Sequence, residues 1–300
     1  MTTDRRRFLG GLATVATTAA VASVPGSAKA SGKKEPSPTA VAMLYDTTLC
    51  IGCKTCVVAC REANGNEPEV RDGMHDAPMA LSSDTRNIIQ LAKNEKDEPI
   101  SYMKKQCMHC LDPGCAAACM LHALKKDEKG VVHWDGSRCV GCRYCQIGCP
   151  YNIPKFEWES ANPKIVKCEL CKHRLAEGEI PACCEVCPRE AVIYGSYAEL
   201  LAEAKRRIAA EPNRYVNKVY GETDAGGTQV FYLSHVPFEE LGLPDLGDHA
   251  VPETVRNVQH TIYKGFAAPI ALYVTLGFVM MRNRRANEAR EAAEAANHQE

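Results

Sequence analysis

The chain predicts an α+β fold made of two repeated modules and a C-terminal transmembrane helix. Three observations lead to it. Sixteen of the seventeen cysteines fall into four groups of four. A short apolar run of strand length lies beside each group, at Val41 to Tyr45, Ile100 to Met103, Val131 to Trp134 and Ala191 to Tyr194. The alternation of short strand, cysteine loop and short helix is an internal repeat. Near the end, Gly265 to Met281 gives seventeen residues without a charge, at the short limit for a spanning helix.

The cysteine spacing defines the modules. Cys50, Cys53, Cys56 and Cys60 are spaced C-x2-C-x2-C-x3-C, and Cys139, Cys142, Cys145 and Cys149 repeat that spacing before Pro150. Cys107, Cys110, Cys115 and Cys119 widen one gap to four residues. Cys168, Cys171, Cys183 and Cys187 widen it to eleven and end at Pro188. A C-x2-C-x2-C-x3-C-P run is the spacing that holds an iron–sulfur cubane. Three thiolates on one tight loop reach three irons of one cluster, and the fourth, on the following segment, completes a neighbouring one. Four groups imply four 4Fe-4S clusters, a wire for electrons.

Two rival uses of the cysteines are weaker. Disulfides suit an exported chain, but they need only pairs, not four repeats of a four-cysteine pattern. Structural zinc typically takes two C-x2-C pairs, whereas the first and third groups each place three ligands inside seven residues. The fourth group taken alone would pass as a zinc ribbon. Cys184 falls outside the pattern, because only Cys183 leaves three residues before Cys187. It reads as a spare buried or free thiol.

Composition narrows the function further. Lys and Arg number 36 against 37 Asp and Glu, a balance that gives no support for nucleic-acid binding. Aromatic content is 6%, with two Trp; metal–ligand bonds would replace part of the missing hydrophobic core. Basic residues sit among the cysteines, namely Lys54, Lys104, Lys105, Arg143, Lys167, Lys172 and Arg174. They are either solvated surface or charges that offset thiolate-ligated clusters. No nucleophile elbow, P-loop or nucleotide fingerprint is present. His109 and His173 lie near cysteines, where an ordinary core or surface role is the simpler reading. His260 lies a few residues before the apolar run.

The ends direct the chain to a membrane surface. Residues 1–30 read as a signal peptide. Asp4-Arg5-Arg6-Arg7-Phe8-Leu9 resembles the twin-arginine export signal, a weakly apolar stretch follows, and Ala28-Lys29-Ala30 supplies a cleavage site. Export of a folded protein allows clusters to be built in the reducing cytoplasm first. A linker at 31–40 leads to a cluster domain at 41–262. The transmembrane helix is expected at 263–283 and a cytoplasmic tail at 284–300. Arg282, Arg284 and Arg285 follow the apolar run, which by the positive-inside rule leaves the cluster domain on the periplasmic face.

Between the cysteine groups the pattern is coarser. Glu62 to Pro99 is polar and turn-rich, and is expected to be a surface insertion with a helical stretch near Asn87 to Lys93. Tyr197 to Ala210 carries apolar residues at Leu200, Leu201, Ala204 and Ile208, the period of an amphipathic helix. Thr228 to Ser234 reads as a strand and Pro237 to Pro244 as a turn-rich arm.

Taken together, the four groups resemble the four-cluster, ferredoxin-like subunits of membrane-bound oxidoreductases, such as the beta subunits of formate dehydrogenase and dimethyl sulfoxide reductase. Longer strings are similar to the ferredoxin-like subunit of the hydrogenase-2 type of NiFe hydrogenase. They include Tyr45-Asp46-Thr47-Thr48-Leu49-Cys50, Lys104-Lys105-Gln106-Cys107-Met108-His109-Cys110, Gly141-Cys142-Arg143-Tyr144-Cys145 and Gln259-His260-Thr261-Ile262-Tyr263-Lys264-Gly265.

The resemblance implies two double-4Fe-4S modules with ligands exchanged crosswise. One cluster would take Cys50, Cys53, Cys56 and Cys187, and another Cys168, Cys171, Cys183 and Cys60. A third would take Cys107, Cys110, Cys115 and Cys149, and the fourth Cys139, Cys142, Cys145 and Cys119. It also implies a non-catalytic relay role, with the hydrogenase small and large subunits and an integral membrane quinone-reactive subunit as partners. Arg61 and Met120 stand where proline often follows the last cysteine, so altered local packing is expected there.

Overall fold

The computed structural model describes residues 34–66, 80–94, 96–160 and 163–297. The predicted signal peptide and the start of the linker lie outside them. The chain divides into two units, Lys33–Glu253 and a second that holds the residues from Thr254 onward.

The first unit is organised on β1 (Val41–Asp46), five of whose six residues are buried. Burial on both faces requires a continuous apolar run, which Val-Ala-Met-Leu-Tyr supplies. β8 (Val192–Ser196) pairs antiparallel along one edge, with Tyr45 opposite Val192. β9 (Val230–Leu233) pairs parallel along the other, with Met43 opposite Val230. The side chains alternate between two cores with the period of a strand. Met43 and Tyr45 join Cys56, Cys168, Cys183 and Tyr232 on one side. Ala42 and Leu44 join Leu200 and Ala204 of α6 (Tyr197–Ala210) on the other. Ser196 caps α6 by accepting the Glu199 N–H. Asp46, fully buried, accepts from the Tyr215 hydroxyl at 2.8 Å and from Arg207 at 3.2 Å, which fastens α6 to the strand end.

Every cysteine lies between β1 and β8. The outer groups contribute α1 (Thr55–Ala63), α4 (Lys172–Ala176) and α5 (Ala182–Glu185). The inner groups contribute α2 (Gly114–Ala117), the ribbon of β4 (Leu124–Lys126) with β5 (Val132–Trp134), α3 (Tyr144–Ile147), and the ribbon of β6 (Lys155–Phe156) with β7 (Ile165–Val166). α1 packs on α5 and α2 on α3. The inner module is therefore nested within the chain of the outer one. The α2–α3 crossing is close. A β-carbon built on Gly114 would stand 2.3 Å from the Gly148 carbonyl oxygen.

The stretch from Asn87 to Lys93 is not helical. It forms β2 (Ile88–Lys93), antiparallel to β3 (Pro99–Lys105), with Ile88 and Ile89 buried. Two adjacent isoleucines suit a pleated edge packed on a core. This part of the predicted surface insertion thus belongs to the core wall; residues 67–79 lie outside the described residues.

The predicted transmembrane helix requires correction. Residues Val251–Asn297 form one continuous helix, α7, but among the described residues no helix is long and apolar enough to cross a membrane. The uncharged run reaches only about 25 Å as a helix, against a hydrocarbon core of about 30 Å. Pro269 also lies inside the helix and not in its first turn, where it would have been tolerated.

Candidate metal centres

The four cysteine loops share one backbone device. The residue before the second cysteine has a positive φ in each group, at Gly52 (71°), His109 (48°), Gly141 (68°) and Leu170 (50°). That left-handed step tightens the loop so that backbone N–H groups face sulfur. Gly52 N–H donates to Cys50 Sγ and Gly141 N–H to Cys139 Sγ, both at 3.4 Å. Glycine adopts this conformation freely.

A second device holds the fourth cysteine. His122, Asn152 and Glu190, each three residues past that cysteine, are also left-handed. The next N–H then turns back to sulfur, from Ala123 to Cys119 at 3.2 Å and from Ala191 to Cys187 at 3.3 Å. Group one departs. Arg61 lets α1 continue to Ala63, and the side-chain amide of Asn64 reaches Cys60 Sγ at 3.7 Å instead. Met120 makes no such difference, since its group keeps the common turn. Of the two missing prolines, only the one at Arg61 alters the local path.

The sulfurs gather in four sets. Cys50, Cys53, Cys56 and Cys187 line one pocket with Tyr45 and Lys104. Cys107, Cys115 and Cys149 are the charges that act most strongly on Cys110. Cys119, Cys139 and Cys142 stand in that relation to Cys145. Cys60 is the charge that acts most strongly on Cys168, and both feel Cys171 and Cys183. Each set draws three cysteines from one group and the last from its partner group. The sets also adjoin one another, through Cys56 and Cys183, Cys168 and Cys107, and Cys115 and Cys145.

These sets have the chemistry of a cluster cage. Burial pushes the Cys56 thiol up to about 11 and those of Cys60, Cys115 and Cys145 up to about 12. Thiolates so placed require a cationic group between them. None of the seventeen cysteines is tied up in a disulfide. Among the described residues, no three His, Cys, Asp or Glu side chains converge on a point suited to a single ion, as a tetrahedral zinc site with sulfur at about 2.3 Å would require. A cubane presents its irons at separate corners and takes one sulfur at each.

The basic residues divide sharply. Lys104 and Lys167 are buried, at 0% and 2% exposure, whereas Lys172 lies on the surface. Arg174 pairs with Glu179 and Glu185, and Arg143 stacks on Trp158 at 4.2 Å. The ammonium of Lys167 donates to the carbonyls of Val132 and Cys168. His109 is fully buried and its Nδ1 accepts the Val132 N–H at 3.0 Å, a core role; His173 is exposed. The side chain of His260 lies outside the described residues. The burial of the two lysines could not be read from spacing, because it depends on how β3 and β7 pack.

Cys184 contacts its neighbour and no set of its own. Its thiol hydrogen-bonds to Cys183, drawing Cys183 down to about 6 and pushing Cys184 up. Cys184→Ser keeps a donor at that position, and iron content per chain is expected to stay within error of the parent. Loss of about a quarter of the iron would assign Cys184 as a ligand.

Residues 99–197 match the family model described as a 4Fe-4S dicluster domain. Over 291 aligned residues the chain is 40% identical to the hydrogenase-2 operon protein HybA of Escherichia coli O157:H7, covering 85% of this chain and 88% of that one. The chain belongs to the HybA-like family of iron–sulfur electron-transfer subunits. HybA-like membership and the cysteine sets together mean that it binds multiple 4Fe-4S clusters. The nitrate-inducible formate dehydrogenase iron–sulfur subunit of Escherichia coli K12 is 35% identical over 239 residues, covering 77% of this chain and 79% of its own. The formate dehydrogenase iron–sulfur subunit of Haemophilus influenzae is 34% identical over 254 residues, with 79% and 81% covered.

Proposed function

We propose that this chain is the non-catalytic relay subunit of an exported hydrogenase complex. In this reading it holds four 4Fe-4S clusters in series, between a NiFe hydrogenase and an integral membrane quinone-reactive subunit. The observation that carries the reading is the unbroken adjacency of the four cysteine sets. The series begins beside the exposed Cys53 and ends beside the exposed Cys142. The ligands follow the crosswise sets: Cys50, Cys53, Cys56 with Cys187; Cys168, Cys171, Cys183 with Cys60; Cys107, Cys110, Cys115 with Cys149; Cys139, Cys142, Cys145 with Cys119.

Such clusters, when bound, accept and release one electron at a time. The chain's residues supply the rest. The left-handed loops direct N–H dipoles at sulfur, which favours the more negative state. The two cores of β1 and the close α2–α3 crossing keep adjacent sets at fixed spacing. The twin-arginine segment supports export of the loaded protein to the periplasm, where the hydrogenase would meet it.

The formate dehydrogenase relatives support a second reading, in which a molybdopterin enzyme is the donor. Anaerobic isolation of the intact complex from membranes, followed by metal analysis, separates the two. Co-purifying nickel is expected, together with at least about sixteen iron atoms for this chain at four per cluster. Molybdenum or tungsten in place of nickel would favour the second reading. A complex free of iron and acid-labile sulfide would remove both.

A further inference from the structure

Lys104 is the buried cation with no protein acceptor. Its residue is fully buried, and its Nζ has no hydrogen-bond partner among the described residues. The backbone is held rigidly, since Lys104 pairs with Ile89 across the β2–β3 ladder and its carbonyl accepts the Tyr232 hydroxyl at 2.9 Å. The side chain lines the cavity of Cys50, Cys53, Cys56 and Cys187. The groups that act most strongly on its charge are Cys56, Cys183, Cys60 and Cys168, so it stands between that set and the neighbouring one. An unpaired ammonium in a dry interior is costly. Among the described residues, the groups that act most strongly to offset it are all cysteines of the two outer sets. Lys167, by contrast, spends its donors on carbonyls. Arg86 also acts on Cys60, but less strongly than Lys104 does, and its guanidinium donates to the Lys167 carbonyl.

We propose that Lys104 is a positioning charge of the relay, an ammonium walled in between the two outer cysteine sets that raises the reduction potential of the clusters held there. This rests on the four-cluster reading above. Adding one electron, with no proton, places negative charge in the cages of Cys56 and Cys183, and a fixed positive charge beside them favours that state. The cages of Cys107–Cys149 and Cys139–Cys119 are not among the groups that act most strongly on Lys104 and would be less affected.

The test is a potentiometric titration followed by electron paramagnetic resonance, on anaerobically isolated complex carrying Lys104→Met, Lys104→Gln or Lys104→Arg. In the Met and Gln proteins the equilibrium constant for one-electron reduction is expected to fall about tenfold or more at two of the four clusters. That equals a downward shift of about 59 mV for a one-electron couple. The other two clusters should be less affected, and Lys104→Arg should lie near the parent. Unchanged potentials, or an equal shift of all four, would overturn the proposal. If the Met and Gln proteins fail to load iron, recovery of iron and parental potentials by Lys104→Arg supports it, and failure of that rescue overturns it by showing a purely structural role. The four-cluster reading is judged separately, on iron and sulfide in the unmodified complex.

Discussion

Replacing Cys168 with alanine is expected to cut the relay at its middle. Cys168 is the sulfur at which the outer and inner sets meet, since the charges of both Cys60 and Cys107 act on it. It is buried, at 7% exposure. Loss of a partner one shell further out from a metal ligand typically costs about 10–100-fold in affinity or activity, and loss of the ligand itself should exceed that. The expected result is loss or degradation of one cluster and a fall of more than about 100-fold in electron flow from the catalytic partner to quinone. Hydrogen-dependent reduction of an artificial dye by the catalytic partner itself should be unchanged. Four intact clusters with full quinone reduction in Cys168→Ala would show that the series does not pass this point.

Gly114→Val should have the next largest effect, and it acts through packing alone. The new β-carbon would meet the Gly148 carbonyl oxygen at 2.3 Å, and the contact is backbone, so no side chain can swing aside. Overpacking of this kind costs about 1–3 kcal/mol. The cost falls on the α2–α3 crossing, which carries Cys115 and Cys145. About half of the iron, that of the inner module, is expected to be lost on mild chelation, with the outer half retained. Gly247→Ala serves as the control, because a β-carbon there meets nothing within 4 Å. Equal iron retention in the two proteins would show that the crossing tolerates expansion.

Much of this organisation is legible before any fold is known, for a physical reason. Iron–sulfur ligation imposes short, strict spacings, and those survive as text in the four groups. The strand at Val41 is legible because burial on both faces demands consecutive apolar residues, and α6 because its apolar positions keep helical period. What failed was of another kind. Ile88-Ile89 carries too little pattern to show its partner, and only pairing with β3 makes it a strand. The seventeen uncharged residues looked sufficient as a string, but their axial length and their place in a longer helix decided against a span. The burial of Lys104 was invisible because charge on a strand ordinarily points outward. The common left-handed step was half visible, as glycine at 52 and 141, and hidden where His109 and Leu170 take the same conformation.

The nesting of one module inside the other sets a timetable for biogenesis. As the polypeptide emerges from the ribosome, Cys107 through Cys149 complete both inner sets from a single uninterrupted stretch. Cys50, Cys53, Cys56 and Cys60 have by then already emerged, and their sets stay incomplete until Cys183 and Cys187 have followed. The strand ladders obey the same schedule, for β1 finds both its neighbours only after Val192 and Val230 exist. The nascent chain therefore carries four naked early thiols until synthesis has passed Cys187. An iron-delivery machinery would have to fill the centre first and close the periphery last.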